Sequence, residues 1–88
     1  MRIAIFHGPG HPLQIEHSPD PEPRADELLL EIARCGICGS DISMTNPGPF
    51  CYASGRALGH EYAGTVVGAG RDVRGFGTGD RVACIPGA

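Results

Sequence analysis

A small, mainly β domain, built as a barrel or sandwich of short strands, is the fold class this sequence predicts. Hydrophobic residues form 41% of the 88 positions and fall in short runs, which argues for a packed core and against disorder. Between the runs stand 14 glycines and 8 prolines, so the chain turns too often for long helices. Strands do not alternate with helical segments, so no doubly wound nucleotide-binding unit is expected within these residues. The length suits one domain over residues 1–88. Its core should be thin, because a chain this short buries only roughly 60–65% of its unfolded surface.

Residues 2–6 alternate weakly and meet Gly8-Pro9-Gly10, which predicts a first strand and a turn. A second short strand is expected over 13–16. Residues 18–23 (Ser-Pro-Asp-Pro-Glu-Pro) must be extended, since each proline biases its predecessor away from helix. Residues 25–34 are ambiguous. Leu, Glu and Ala are good helix formers and Asp26 could cap, yet a fully buried strand gives the same apolar run. Ser40 or Asp41 can cap a short helix reaching about Thr45, stopped by Asn46-Pro47-Gly48-Pro49. A loop is expected over 50–58, then a strand over 61–67 centred on Thr65, Val66 and Val67. Turns at 68–70 and 75–80 precede a last strand at 81–85.

Charge and composition exclude several functions. A net charge of −3 gives no electrostatic case for nucleic acid or a membrane surface. All seven basic residues are arginine, so no lysine Schiff base or lysine general base can act here. No apolar stretch nears the ~20 residues of a membrane span. The opening residues are too short for a signal peptide, and Cys-x-x-Cys near a His-Glu pair fits a reduced, cytoplasmic metal site better than a disulfide scaffold.

The chemistry concentrates in Cys35-Gly36-Ile37-Cys38-Gly39-Ser40-Asp41 and Gly59-His60-Glu61-Tyr62-Ala63-Gly64. Thiolate, imidazole and carboxylate are the ligand types that zinc accepts. Three readings of Cys35-x-x-Cys38 compete. A structural zinc knuckle needs a second close pair, whereas Cys51 and Cys84 are far apart. A thioredoxin-like redox pair belongs in an α/β pattern that this chain lacks. The third uses one cysteine with His60 and Glu61 in a catalytic site, with a hydroxyl (Ser40) and a carboxylate (Asp41) one turn from Cys38.

These two blocks, with Gly70, Val73, Pro23, the 27–32 run and Gly79-Asp80-Arg81-Val82, resemble the zinc-containing medium-chain alcohol dehydrogenases, polyol and threonine dehydrogenase branch. The resemblance spans nearly the whole chain. It implies a GroES-like β-barrel with one or two short helices, so that 27–34 becomes a strand. It also implies Cys38, rather than Cys35, and His60 as zinc ligands. Glu61 is then either a direct ligand or a nearby carboxylate that exchanges with bound water. Ser40 matches the hydroxyl that relays the substrate proton, and Asp41 the carboxylate that fixes the ligand histidine. The implied reaction is reversible oxidation of a small alcohol or polyol, zinc acting as Lewis acid, with hydride passing to NAD or NADP.

The sequence also departs from that family. The nicotinamide-binding Rossmann domain, a further zinc ligand group and the cysteine-rich lobe with structural zinc all fall outside these residues. The chain therefore reads as an N-terminal catalytic-domain fragment, inactive alone. Gly68-Ala69-Gly70-Arg71-Asp72-Val73 is a turn, not a dinucleotide fingerprint, because valine stands where the third glycine belongs. His7, His11 and His17 read as solvated, and Cys35 and Cys84 as small core residues. Cys51, Phe50 and Tyr62 could line a substrate pocket or simply pack. An exposed apolar patch near Cys38 and His60 is expected, with self-association into a homo-oligomer. Two rivals are a stand-alone zinc-binding or interaction module that kept the barrel and lost catalysis, and a structural knuckle without enzymatic ancestry.

Overall fold

The computed structural model describes residues 1–86. Along the chain the elements are β1 (Arg2–Phe6), β2 (Gln14–His17), β3 (Leu28–Gly36), α1 (Gly39–Ser43), β4 (Arg56–Ala57), β5 (Glu61–Ala69) and β6 (Arg81–Ala83). The mainly β class holds, with one short helix among the described residues. Among the described residues, hydrogen bonding joins the strands into two three-stranded sheets, β2-β1-β4 and β3-β5-β6, with no closed ring. The chain divides into two compact units, residues 1–20 with 37–59 and residues 21–36 with the segment from His60 onward.

In the first unit β1 is central and antiparallel to both neighbours, with Ile3 opposite Glu16 and Ile5 opposite Gln14 and Ala57. The turn after β1 needs left-handed backbone at Gly8 and Gly10, with φ of 111° and 81°, which glycine adopts without steric cost. Phe6 is buried here. His7 is half-buried rather than solvated, because the strand pairing brings its Nε2 within 2.6 Å of Glu16 Oε2. His11 and His17 are exposed, as expected. The proline-rich segment carries no strand or helix, and the N-terminal ammonium donates to the Ser18 carbonyl at 2.6 Å and pairs with Asp20. Residues 50–58 are not all loop. The Gly55 N–H donates to the Phe6 carbonyl at 2.7 Å, and Arg56 and Ala57 then pair with the end of β1 as β4.

In the second unit β5 lies between β3 and β6, and Val66 at its centre is fully buried. The helical composition of 25–34 loses to tertiary pairing, since eight β3 residues have partners along β5. A helix that short is marginal by itself, whereas each ladder bond is supported by its neighbours. The register shifts at Leu29/Leu30 and at Ile32/Arg34, so the pair is bulged and more strongly twisted. At the far end β5 runs past the expected turn to Ala69, because Gly68 and Ala69 still find partners in Leu29 and Leu28. β6 is shorter than expected, ending at Ala83. Asp80 fixes the preceding turn, where its Oδ2 accepts from the Gly77 N–H at 2.8 Å.

Candidate metal and catalytic site

Within the first unit, the Cys38 block folds as the start of α1. Cys38 is the N-cap, extended at φ −92° and ψ 153°, and neither Ser40 nor Asp41 takes that place. Asp41, at the third helical position, is tied to it from both sides. Its Oδ2 accepts from the Cys38 N–H at 3.0 Å, and its own N–H donates to the Cys38 carbonyl at 3.0 Å. A carboxylate in the first helical turn also meets the positive end of the helix dipole. The first duty of Asp41 is thus to hold the backbone that carries the Cys38 thiol, a role the sequence reading missed. The Ser-x-x-Glu type of capping pattern would have revealed it, had Cys38 been admitted as the cap.

The helix ends at Ser43 rather than near Thr45. Its last carbonyls are met by side chains: Thr45 Oγ1 donates to the carbonyls of Asp41 (2.8 Å) and Ile42 (3.0 Å), and Asn46 Nδ2 to that of Ile42 (3.1 Å). Cys38, Ser40 and Asp41 are all half-buried, within one helical turn. Beside them in sequence, Ile37 and Ile42 are 83% and 64% exposed, so apolar surface does flank this block. Phe50 and Cys51, with Met44 and Asn46, line a pocket of about 230 Å³ inside this unit.

Within the second unit, His60 is half-buried and immediately precedes β5, and Glu61 opens the strand, exposed. The β3–β5 register places Glu61 opposite Gly36 and Tyr62 opposite Cys35. Cys35 and Cys84 are both exposed, contrary to their reading as core. The physical cause is position: β3 is exposed from Glu31 to Gly36, and Cys84 follows the edge strand β6. All four cysteines are free thiols.

Cys84 instead supports Tyr62, whose carbonyl accepts from the Cys84 N–H at 2.9 Å. The Tyr62 phenol is pushed above its ordinary 10.0 by a hydrogen bond with the Cys84 side chain, then by partial burial, then by the negative charge of the Cys84 and Cys35 thiolates. A raised value means that the folded chain holds this proton more tightly. The associated stabilisation is present below pH 10.0 and is lost as pH rises through the folded value. In a Tyr52→Phe background, ultraviolet titration should give a Tyr62 midpoint above 10.0 that falls toward it on Cys84→Ala. An unmoved midpoint would remove Cys84 as the cause.

No helix among the described residues is long and apolar enough to cross a membrane. Residues 24–87 match the alcohol dehydrogenase GroES-like domain family. The sheep (Ovis aries) sorbitol dehydrogenase is 46% identical over 86 residues, which cover 96% of this chain and 24% of that protein. The 2R,3R-butanediol dehydrogenase of Bacillus subtilis superposes with a TM-score of 0.80 at 29% identity, covering 93% of this chain and 26% of that one. A protein assigned as a zinc-binding dehydrogenase of Sinorhizobium meliloti 1021, solved bound to NADP, gives 0.75 at 31%, with coverage of 91% and 23%. The chain thus spans about a quarter of the length of the relatives it matches.

Proposed function

Because the chain belongs to the alcohol dehydrogenase GroES-like domain family, we propose that it supplies the zinc-holding wall of the active site of a zinc-dependent alcohol or polyol dehydrogenase. In this reading residues 1–88 belong to one catalytic domain of a longer protein. The observation that carries it is the pairing of Gly36 with Glu61 at the end of the β3–β5 ladder. Cys38 follows Gly36 by two residues, so covalent geometry keeps its Cα within about 7.6 Å of Gly36. His60 adjoins Glu61. The strand register thereby sets Cys35 and Gly36 opposite Tyr62 and Glu61 at one end of one ladder.

The donor set fits zinc. Cys38, His60 and Glu61 offer one thiolate, one imidazole and one carboxylate, the ligand types that zinc accepts. Cys38 and His60 would hold the zinc, with Glu61 as a third ligand or a carboxylate in reserve. When bound, zinc supplies a Lewis acid for the alcohol oxygen. Ser40 receives the alcohol proton at its Oγ and passes it outward. Asp41 keeps the Cys38 backbone in place and orients the His60 ring. The hydride acceptor, NAD or NADP, requires protein outside these residues. The relatives' names point to small polyhydroxy substrates such as sorbitol and butanediol. A reducing compartment, the cytoplasm, suits the four free thiols. The exposed Ile37 and Ile42 would favour self-association of the isolated chain.

The full-length gene product should reduce NAD or NADP in the presence of sorbitol or butane-2,3-diol, and the 88-residue chain alone should not. Ser40→Ala in the full-length protein should lower kcat roughly 100-fold or more, the usual weight of a positioned proton-transfer group. A full-length protein that binds zinc yet turns over no alcohol would favour the non-catalytic binding module.

A further inference from the structure

We propose that Gly36 is a positioning residue for Glu61, kept without a side chain so that the Glu61 carboxylate can lie across the β3 backbone at Gly36. The value of this placement for metal binding rests on the function proposed above; the placement itself does not.

Backbone conformation does not explain a glycine here. Gly36 is absent from the glycines with positive φ, so its backbone admits any L-residue. It also sits inside a strand, where glycine is disfavoured against residues that pack a side chain. The occupied space does explain it. A Cβ at Gly36 would lie 3.3 Å from Glu61 Oε2, 3.6 Å from the Glu61 carbonyl oxygen and 3.7 Å from Glu61 Cβ. Gly36 and Glu61 are cross-strand partners, so their side-chain positions share one face of the sheet. A methyl group there would crowd the carboxylate and require it to shift.

Gly64 and Gly70 show the contrast, because a Cβ at either would meet backbone of Glu31, or of Arg24 and Ala25, that cannot yield. At Gly36 the nearest atom is the far end of a flexible side chain. Substitution should displace the carboxylate and spare the strand.

Two measurements on the 88-residue chain test this. In the metal-free chain, nuclear Overhauser contacts should link the Gly36 α protons to the Glu61 γ protons, and their absence would overturn the proposal. In the second, cobalt(II) is titrated as a spectroscopic stand-in for zinc. Gly36→Ala should keep the native amide spectrum, weaken cobalt binding roughly tenfold, as loss of an outer partner does, and change the ligand-field bands. In a Glu61→Ala background the same substitution should cause no further loss. An equal loss in that background would overturn the proposal, as would unchanged binding by Gly36→Ala alone or its unfolding. If the unsubstituted chain bound no cobalt, the metal reading would fail, while the proton contacts would still decide where the carboxylate lies.

Discussion

Replacing Cys38 by serine should abolish metal binding by this chain, and replacing Cys35 should leave it intact. The asymmetry follows from where the strand register sets each thiol. Cys35 faces Tyr62 across the sheet, one pair before Gly36–Glu61, whereas Cys38 has left the sheet and caps α1. Loss of a direct ligand should exceed the roughly 10–100-fold that loss of an outer partner costs. Cobalt(II) absorption checks both variants, because a bound thiolate adds an intense charge-transfer band. The Cys38→Ser chain should lack that band and the Cys35→Ser chain should keep it. Equal losses in the two variants would favour a knuckle using both cysteines, and the dehydrogenase reading of this motif would fall.

Gly70→Ala should be the most damaging small substitution in the second unit. A Cβ at residue 70 would collide with the carbonyl oxygens of Arg24 and Ala25. The segments flanking β3 and β5 are stitched there by hydrogen bonds from the Gly70 N–H to the Glu27 carbonyl and from the Asp72 N–H to the Ala25 carbonyl, both 2.8 Å. Relief of the clash therefore breaks the hydrogen bonds that hold the segment after β5 against the segment before β3. Overpacking costs about 1–3 kcal/mol and here should reach or pass the upper figure, because backbone must move. That is a large share of the ~5 kcal/mol available to a domain of this size. Urea denaturation should show a much lower midpoint for Gly70→Ala, with Gly77→Ala as control, since a Cβ there meets nothing within 4 Å. Similar midpoints for the two variants would refute the packing argument.

Much of the fold was legible because it is written in local signals. β1 is bounded by a glycine-proline turn, and β5 is centred on β-branched residues. Both lie within two residues of their expected ends. Where local signals and pairing conflict, pairing decides. Residues 25–34 are ambiguous by composition, and 28–34 form a strand, as the family resemblance implies, because β5 offers them a ladder. β4 has no local signature, since two residues become a strand only by lying beside Ile5 and Phe6. Cys35 and Cys84 look like core residues, yet their exposure depends on which strand is an edge and where β3 loses cover.

For the candidate site the division is similar. The two motifs, through the family they resemble, nominate Cys38, Ser40, Asp41, His60 and Glu61, because ligand chemistry and proton transfer depend on side-chain identity. Family membership is legible for the same reason. Tertiary structure alone decided that Asp41 locks the Cys38 backbone, that Glu61 faces Gly36, and that Cys84 rather than a core supports Tyr62. Each of these is a contact between residues whose proximity follows from helix capping or strand register. Register is a collective outcome of the whole ladder, bulges included, and a one-residue slip of β5 would turn Glu61 and Tyr62 to the opposite face.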